Sequence, residues 1–234
     1  MYTTLEPSKI IDTLARLEAR VGERFPDSGL SRLARQLTAM AGVSAARARD
    51  LSRPNMALRT GVGTLILAGV AAQIAAARFL RLQPATLDAA ALVQGLEAAV
   101  NLLLLFGGAV WFLLSVETRW KRTRALAALH ELRSLAHIID MHQLTKDPTT
   151  VLSAPAPTAS SPKREMNQFQ LTRYLEYCAE MLALIGKLAA LFGENMRDGV
   201  VVDAVNDIEN LAANLGRKIW QKIMILGQLR EHAG

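Results

Sequence analysis

The stretch HELRSLAHIIDMHQLTKDP holds three of the four histidines of the chain and is its densest concentration of side chains able to bind metal or move protons. Wound as a helix, it puts His130, Arg133, His137 and Asp140 on one face. Distance argues against a single site, because His130 and His137 stand about 10 Å apart along the axis and a metal bonds its ligands at roughly 2 Å. Nor is the order that of a zinc hydrolase, H-E-x-x-H: Glu131 follows His130, but the position of the second histidine is Ser134. The cluster is therefore read as a polar contact between helices or subunits, with ligand or pH sensing as the alternative. No metal, cofactor or catalytic group is expected.

A second set of polar residues lies in an apolar setting. Gln94, Glu97 and Asn101 are spaced three and four apart, so they share a helix face that Gly108 continues. An ionisable group at the edge of a bilayer is costly and normally faces protein or water, which makes this stripe a candidate for lining a pore or touching another subunit. The plainer reading has Glu97 in water at the outer interface. Cys178 has no histidine near it in sequence and falls at a heptad core position, where burial is expected. The Gly61-x-Gly63 pair has no strand before it, and the chain holds no phosphate loop, nucleophile elbow or calcium loop.

The setting of that stripe is two charge-free runs. Residues 60–77, TGVGTLILAGVAAQIAAA, reach about 27 Å as a helix, enough to span a hydrocarbon core. Residues 98–116, AAVNLLLLFGGAVWFLLSV, are more apolar still. Neither run has a polar face wide enough to meet water, which makes burial within a soluble bundle a poor fit. Gly61, Thr64, Ala68, Ala72 and Ala75 line one side of the first run, where small residues let helices approach closely in lipid. Arg47, Arg49, Arg53 and Arg59 precede the first run and Arg119, Lys121, Arg122 and Arg124 follow the second, against Arg78 and Arg81 between them. By the positive-inside rule both ends are cytoplasmic and the protein is a multi-pass protein of the cell inner membrane, with Trp120 at the inner interface. No cleaved signal peptide is expected, since the N-terminal region is polar and patterned.

Composition agrees with a small membrane part plus polar helical domains. The 234 residues are 51% hydrophobic but 5% aromatic, 21% are charged, and the net charge is +6. That hydrophobic content excludes a disordered chain, and one cysteine excludes an internal disulfide. The basic charge crowds the apolar runs, pointing to the bilayer rather than nucleic acid as partner. Arg217-Lys218-Ile219-Trp220-Gln221-Lys222 offers one aromatic, no stacking platform for bases.

The remaining segments are helical. Residues 1–53 hold a hairpin marked by Ile10, Leu14, Leu17 and Val21, then Leu30, Leu33, Leu37 and Met40, with a separate basic helix over 44–53 whose apolar side is thin. Residues 54–118 form the two-span hairpin, and 119–146 carry its second helix onward. Residues 147–164, rich in Pro, Ser, Thr and Ala, read as a linker. Residues 165–234 form an antiparallel pair of heptad-patterned helices. The first of these also carries Met181, Leu184, Leu188 and Leu191, more apolar surface than one partner covers, and is read as an assembly surface.

The fold class expected is thus all-α, an integral membrane protein with a two-helix transmembrane hairpin and a cytoplasmic helical bundle. Two functions fit that outline, which small two-span defence effectors share as architecture. One is a non-enzymatic homo-oligomer whose cytoplasmic helices drive assembly and whose hairpin forms a channel or perturbs the bilayer. The other is a membrane-anchored scaffold or sensor that recruits a cytoplasmic protein.

Overall fold

The computed structural model describes residues 4–81, 89–146, 148 and 166–232. Among the described residues six α-helices follow one another: α1 (Pro7–Arg24), α2 (Gly29–Ser52), α3 (Met56–Arg81), α4 (Ala89–Leu144), α5 (Gln168–Asn195) and α6 (Gly199–His232). No strand occurs among the described residues. The chain divides into two units, one of residues 1–52 and 124–234, the other of residues 53–123. The linker expected over 147–164 lies, except for Pro148, outside the described residues.

In the larger unit each helix starts and stops where its sequence allows. α1 opens on Pro7, at a position where a missing N–H leaves no bond unmade. Between α1 and α2, Ser28 Oγ donates to the Phe25 carbonyl at 2.8 Å and accepts from the Ser31 N–H at 3.1 Å, capping α2. Asp27 takes φ 55° in that turn, a conformation that its short polar side chain tolerates. α5 starts in a reciprocal capping box of Asn167 and Gln170, and the Val201 N–H donates to Asp198 Oδ1 at 3.3 Å at the start of α6.

The segment 44–53 is not a separate helix. α2 runs unbroken from Gly29 to Ser52, because Gly42 alone is too weak a breaker to stop it. Its thin apolar side, Ala41, Ser44, Ala45, Ala48 and Leu51, is buried, while Arg47 and Arg49 stay in solvent. Small side chains here permit close helix packing, and Arg47 reaches Glu131 of α4 at 2.9 Å.

α5 is the centre of this unit and packs on α6, α1 and α2. Phe25 meets the rings of Tyr174 and Tyr177 edge-on at 5.6 and 6.3 Å, and Arg20 of α1 pairs with Glu180 at 2.6 Å. This corrects the reading of Met181, Leu184, Leu188 and Leu191 as an assembly surface. They are 0%, 7%, 0% and 1% exposed, inside the chain's own core. The apolar surface that α6 leaves over on α5 is taken up by other helices of the same chain, so none of it remains for a second subunit. The far half of α4 joins the same core through Ala125, Ala128, Leu129, Leu132, Leu135, Ala136 and Ile139.

Among the described residues two helices are long and apolar enough to cross a membrane. One 18-residue window, of mean hydropathy 1.4, lies within Gly29–Ala75 and another, of 2.1, within Val93–Leu144, and no part of either window is buried. A core helix of a soluble protein with that composition is mostly buried instead.

Truncating the core of α5 tests its intramolecular character. Met181→Ala and Leu188→Ala are each expected to lower stability by about 2–5 kcal/mol. Thermal unfolding in mild detergent checks this, with a loss that is the same at every protein concentration, since no subunit contact is removed.

Candidate functional site

The smaller unit is the hairpin of α3 with the first part of α4. Half-buried positions run from Asn55, just before α3, to Leu58, Val62, Ile66, Gly69 and Gln73 on it, at steps of three or four, and on α4 run Phe106, Val110, Leu113 and Glu117. These are the two faces that meet. Gly69 is required at the tightest point: a Cβ there would lie 2.6 Å from Phe106 Cε2. A cleft of about 310 Å³ opens between Leu58, Val62, Ile66, Leu113 and Leu114, with Arg59 and Glu117 at its polar end.

Glu117 closes that end as an ionic clasp. Its Oε2 accepts from Arg59 Nε at 2.7 Å, and its Oε1 accepts from the Asn55 N–H at 3.0 Å and lies 2.9 Å from Lys121 Nζ. Lys121 also donates to the Arg53 carbonyl at 2.7 Å. Asn55 caps α3, its Oδ1 accepting from the Leu58 N–H at 3.1 Å. The Glu117 side chain is 15% exposed. The Arg59 hydrogen bond, then the Asn55 amide and Lys121, outweigh this partial burial and hold the carboxyl down at about 2. The sign follows: the clasp contributes fully above the usual carboxylate range and is lost as pH falls from that range towards about 2.

Outside the hairpin's inner faces lie the residues that sequence singled out. Glu97 stands nine residues before Phe106, a rotation of about half a turn from the face that meets α3. Gln94, Glu97 and Asn101 are all exposed, and among the described residues they make no hydrogen bond or ion pair. The hairpin thus leaves the polar stripe facing outward. Gly61, Thr64, Ala68, Ala72 and Ala75 of α3 are likewise exposed.

His130, Arg133 and His137 are exposed on α4, and Asp140 is half-buried. Asp140 Oδ1 accepts from Gln143 Nε2 at 2.6 Å. Gln143 is bound in turn by Lys222 of α6, whose Nζ donates to its carbonyl at 3.0 Å. Asp140 therefore serves to fix the end of α4 on α6. No group of three metal-ligating side chains occurs among the described residues. Cys178 is fully buried, and burial pushes its thiol up to about 12. His142 is shifted down, by desolvation first and then by Arg32 and Lys146. Its ring lies against the start of α2, where a Cβ on Gly29 would come within 2.6 Å of Cε1.

Sequence reasoning treats Glu117 only as the charge that ends an apolar run. Its role was encoded in pairs: Lys121 four residues on, and Arg59 at the mirror position of the hairpin. No protein-family model, curated protein or solved structure matches the chain.

Glu117→Gln removes the charge from the clasp but keeps its shape. The Asn55 amide and the first turn of α3 are expected to exchange hydrogen faster by about an order of magnitude, corresponding to roughly 1.4 kcal/mol of lost local stability. Hydrogen exchange by mass spectrometry on wild type and variant reads this, and unchanged protection at 55–59 would show that the clasp does not hold the hairpin.

Proposed function

We propose that the chain is a non-enzymatic, homo-oligomeric two-span protein of the cell inner membrane, with both termini cytoplasmic, whose hairpin forms a channel or perturbs the bilayer. The observation that carries this reading is the direction of the Gln94, Glu97 and Asn101 stripe, half a turn away from α3. A carboxylate and two amides facing hydrocarbon are costly, so a hairpin of this kind needs a neighbour or water on that side. Assembly is carried by the hairpin rather than by α5, whose Met181, Leu184, Leu188 and Leu191 are inside the core. Orientation rests on the basic flanks of the two apolar runs.

A second reading, the anchored scaffold or sensor, is favoured by one feature. Trp220, Met224 and Ile225 of α6 are 54%, 64% and 39% exposed, an apolar patch able to recruit a cytoplasmic protein.

The oligomeric mass in nanodiscs separates the two. Four or more subunits supply at least eight spans and support a pore, whereas a monomer or dimer favours the scaffold. Ion flux into liposomes follows: Glu97→Gln is expected to lower the preference for cations over anions, and Asn101→Ala to lower conductance. Flux indifferent to both substitutions would overturn the channel reading.

A further inference from the structure

Arg78 and Glu97 are opposite charges set at the same level of the hairpin on faces that cannot meet within one chain. From Arg59 to Gly69 is ten residues along α3, and from Glu117 to Phe106 is eleven back along α4, so the two helices keep an antiparallel register. Nine residues further in each direction stand Arg78 and Glu97. Nine residues are about two and a half turns, so each side chain is carried about half a turn away from its inner-face contact, Gly69 or Phe106. Both are exposed, and among the described residues neither has an ion-pair partner.

We propose that Arg78 of one copy pairs with Glu97 of the next, joining the outer side of α3 to the outer side of α4 in a second copy of this chain. The proposal rests on the oligomeric reading above and names its interface. Copies rotated about an axis along the hairpin keep every residue at its own level, so the register that matches Arg78 with Glu97 inside one chain matches them between chains as well. The contact joins two different faces, and such head-to-tail contacts generate a ring when the rotation between copies closes. Pairing also removes the cost of an isolated carboxylate and guanidinium at the edge of an apolar layer.

The experiment uses the full chain in nanodiscs. Arg78→Glu and Glu97→Arg alone are each expected to weaken assembly roughly tenfold or more, through like charges placed opposite each other, and the double exchange to restore it. In a Cys178→Ser background, copies carrying only Arg78→Cys are mixed with copies carrying only Glu97→Cys, and oxidation is expected to link one kind to the other. A wild-type protein that assembles, with single exchanges that leave its mass unchanged and no mixed crosslink, overturns this interface while leaving the oligomeric reading standing. Single exchanges that weaken assembly without rescue by the double, and without the crosslink, overturn it equally. A wild-type monomer overturns both.

Discussion

α4 runs for 56 residues without a break, and both units of the molecule are built on it. One helix must therefore satisfy two environments with one sequence. Between Ala98 and Val116 it is apolar around its circumference and no residue of it is fully buried. Beyond Arg124 one stripe of it, Ala125, Ala128, Leu129, Leu132, Leu135, Ala136 and Ile139, is enclosed by protein, while Ile138, Met141 and Leu144 stay exposed. The α-helix tolerates both because its backbone groups are bonded within the segment, whatever surrounds it.

The change of environment coincides with Glu117 and Lys121, and this gives the clasp its physical meaning. A carboxylate that accepts from an arginine, a lysine and a backbone amide is fixed in position far more firmly than one in water. Its partners Asn55 and Arg59 open α3, so a single side chain fixes where both helices of the hairpin stand along each other. The close Gly69–Phe106 contact sets the same register a second time, by shape rather than charge. With the register set twice, the outward direction of Gln94, Glu97 and Asn101 follows from helical geometry alone.

The larger unit shows a different economy. α5 has apolar residues on nearly all sides, and three helices besides the far half of α4 supply the surfaces that enclose them. Among its charged residues Glu180 pairs across to Arg20 of α1, while Arg173 and Glu176 pair along α5 itself. Ala-rich segments of α2 and α4, which carry little hydrophobicity of their own, contribute by allowing close approach.

Much of this was legible in the sequence because it depends only on neighbours along the chain. Periodicity of 3.6 marked Ile10, Leu14, Leu17 and Val21 as one face and Leu30, Leu33 and Leu37 as part of another, and all of these are buried. Length and lack of charge marked the two apolar helices. Spacing of three and four put Gln94, Glu97 and Asn101 on one side. What periodicity cannot tell is which partner a face meets. Met181, Leu184, Leu188 and Leu191 read as surplus because α1 and α2, which also pack on α5, lie more than a hundred residues away in sequence. Ser44, Ala45 and Ala48 read as solvated because small side chains give a weak signal, although they pack well. Glu117 read as a boundary because Arg59 and Asn55 reach it only when α3 folds back. Local spacing determined the helices and their faces; the pairing of those faces was decided by contacts that exist only once the chain has turned, since charge and shape complementarity act through space and leave no period behind.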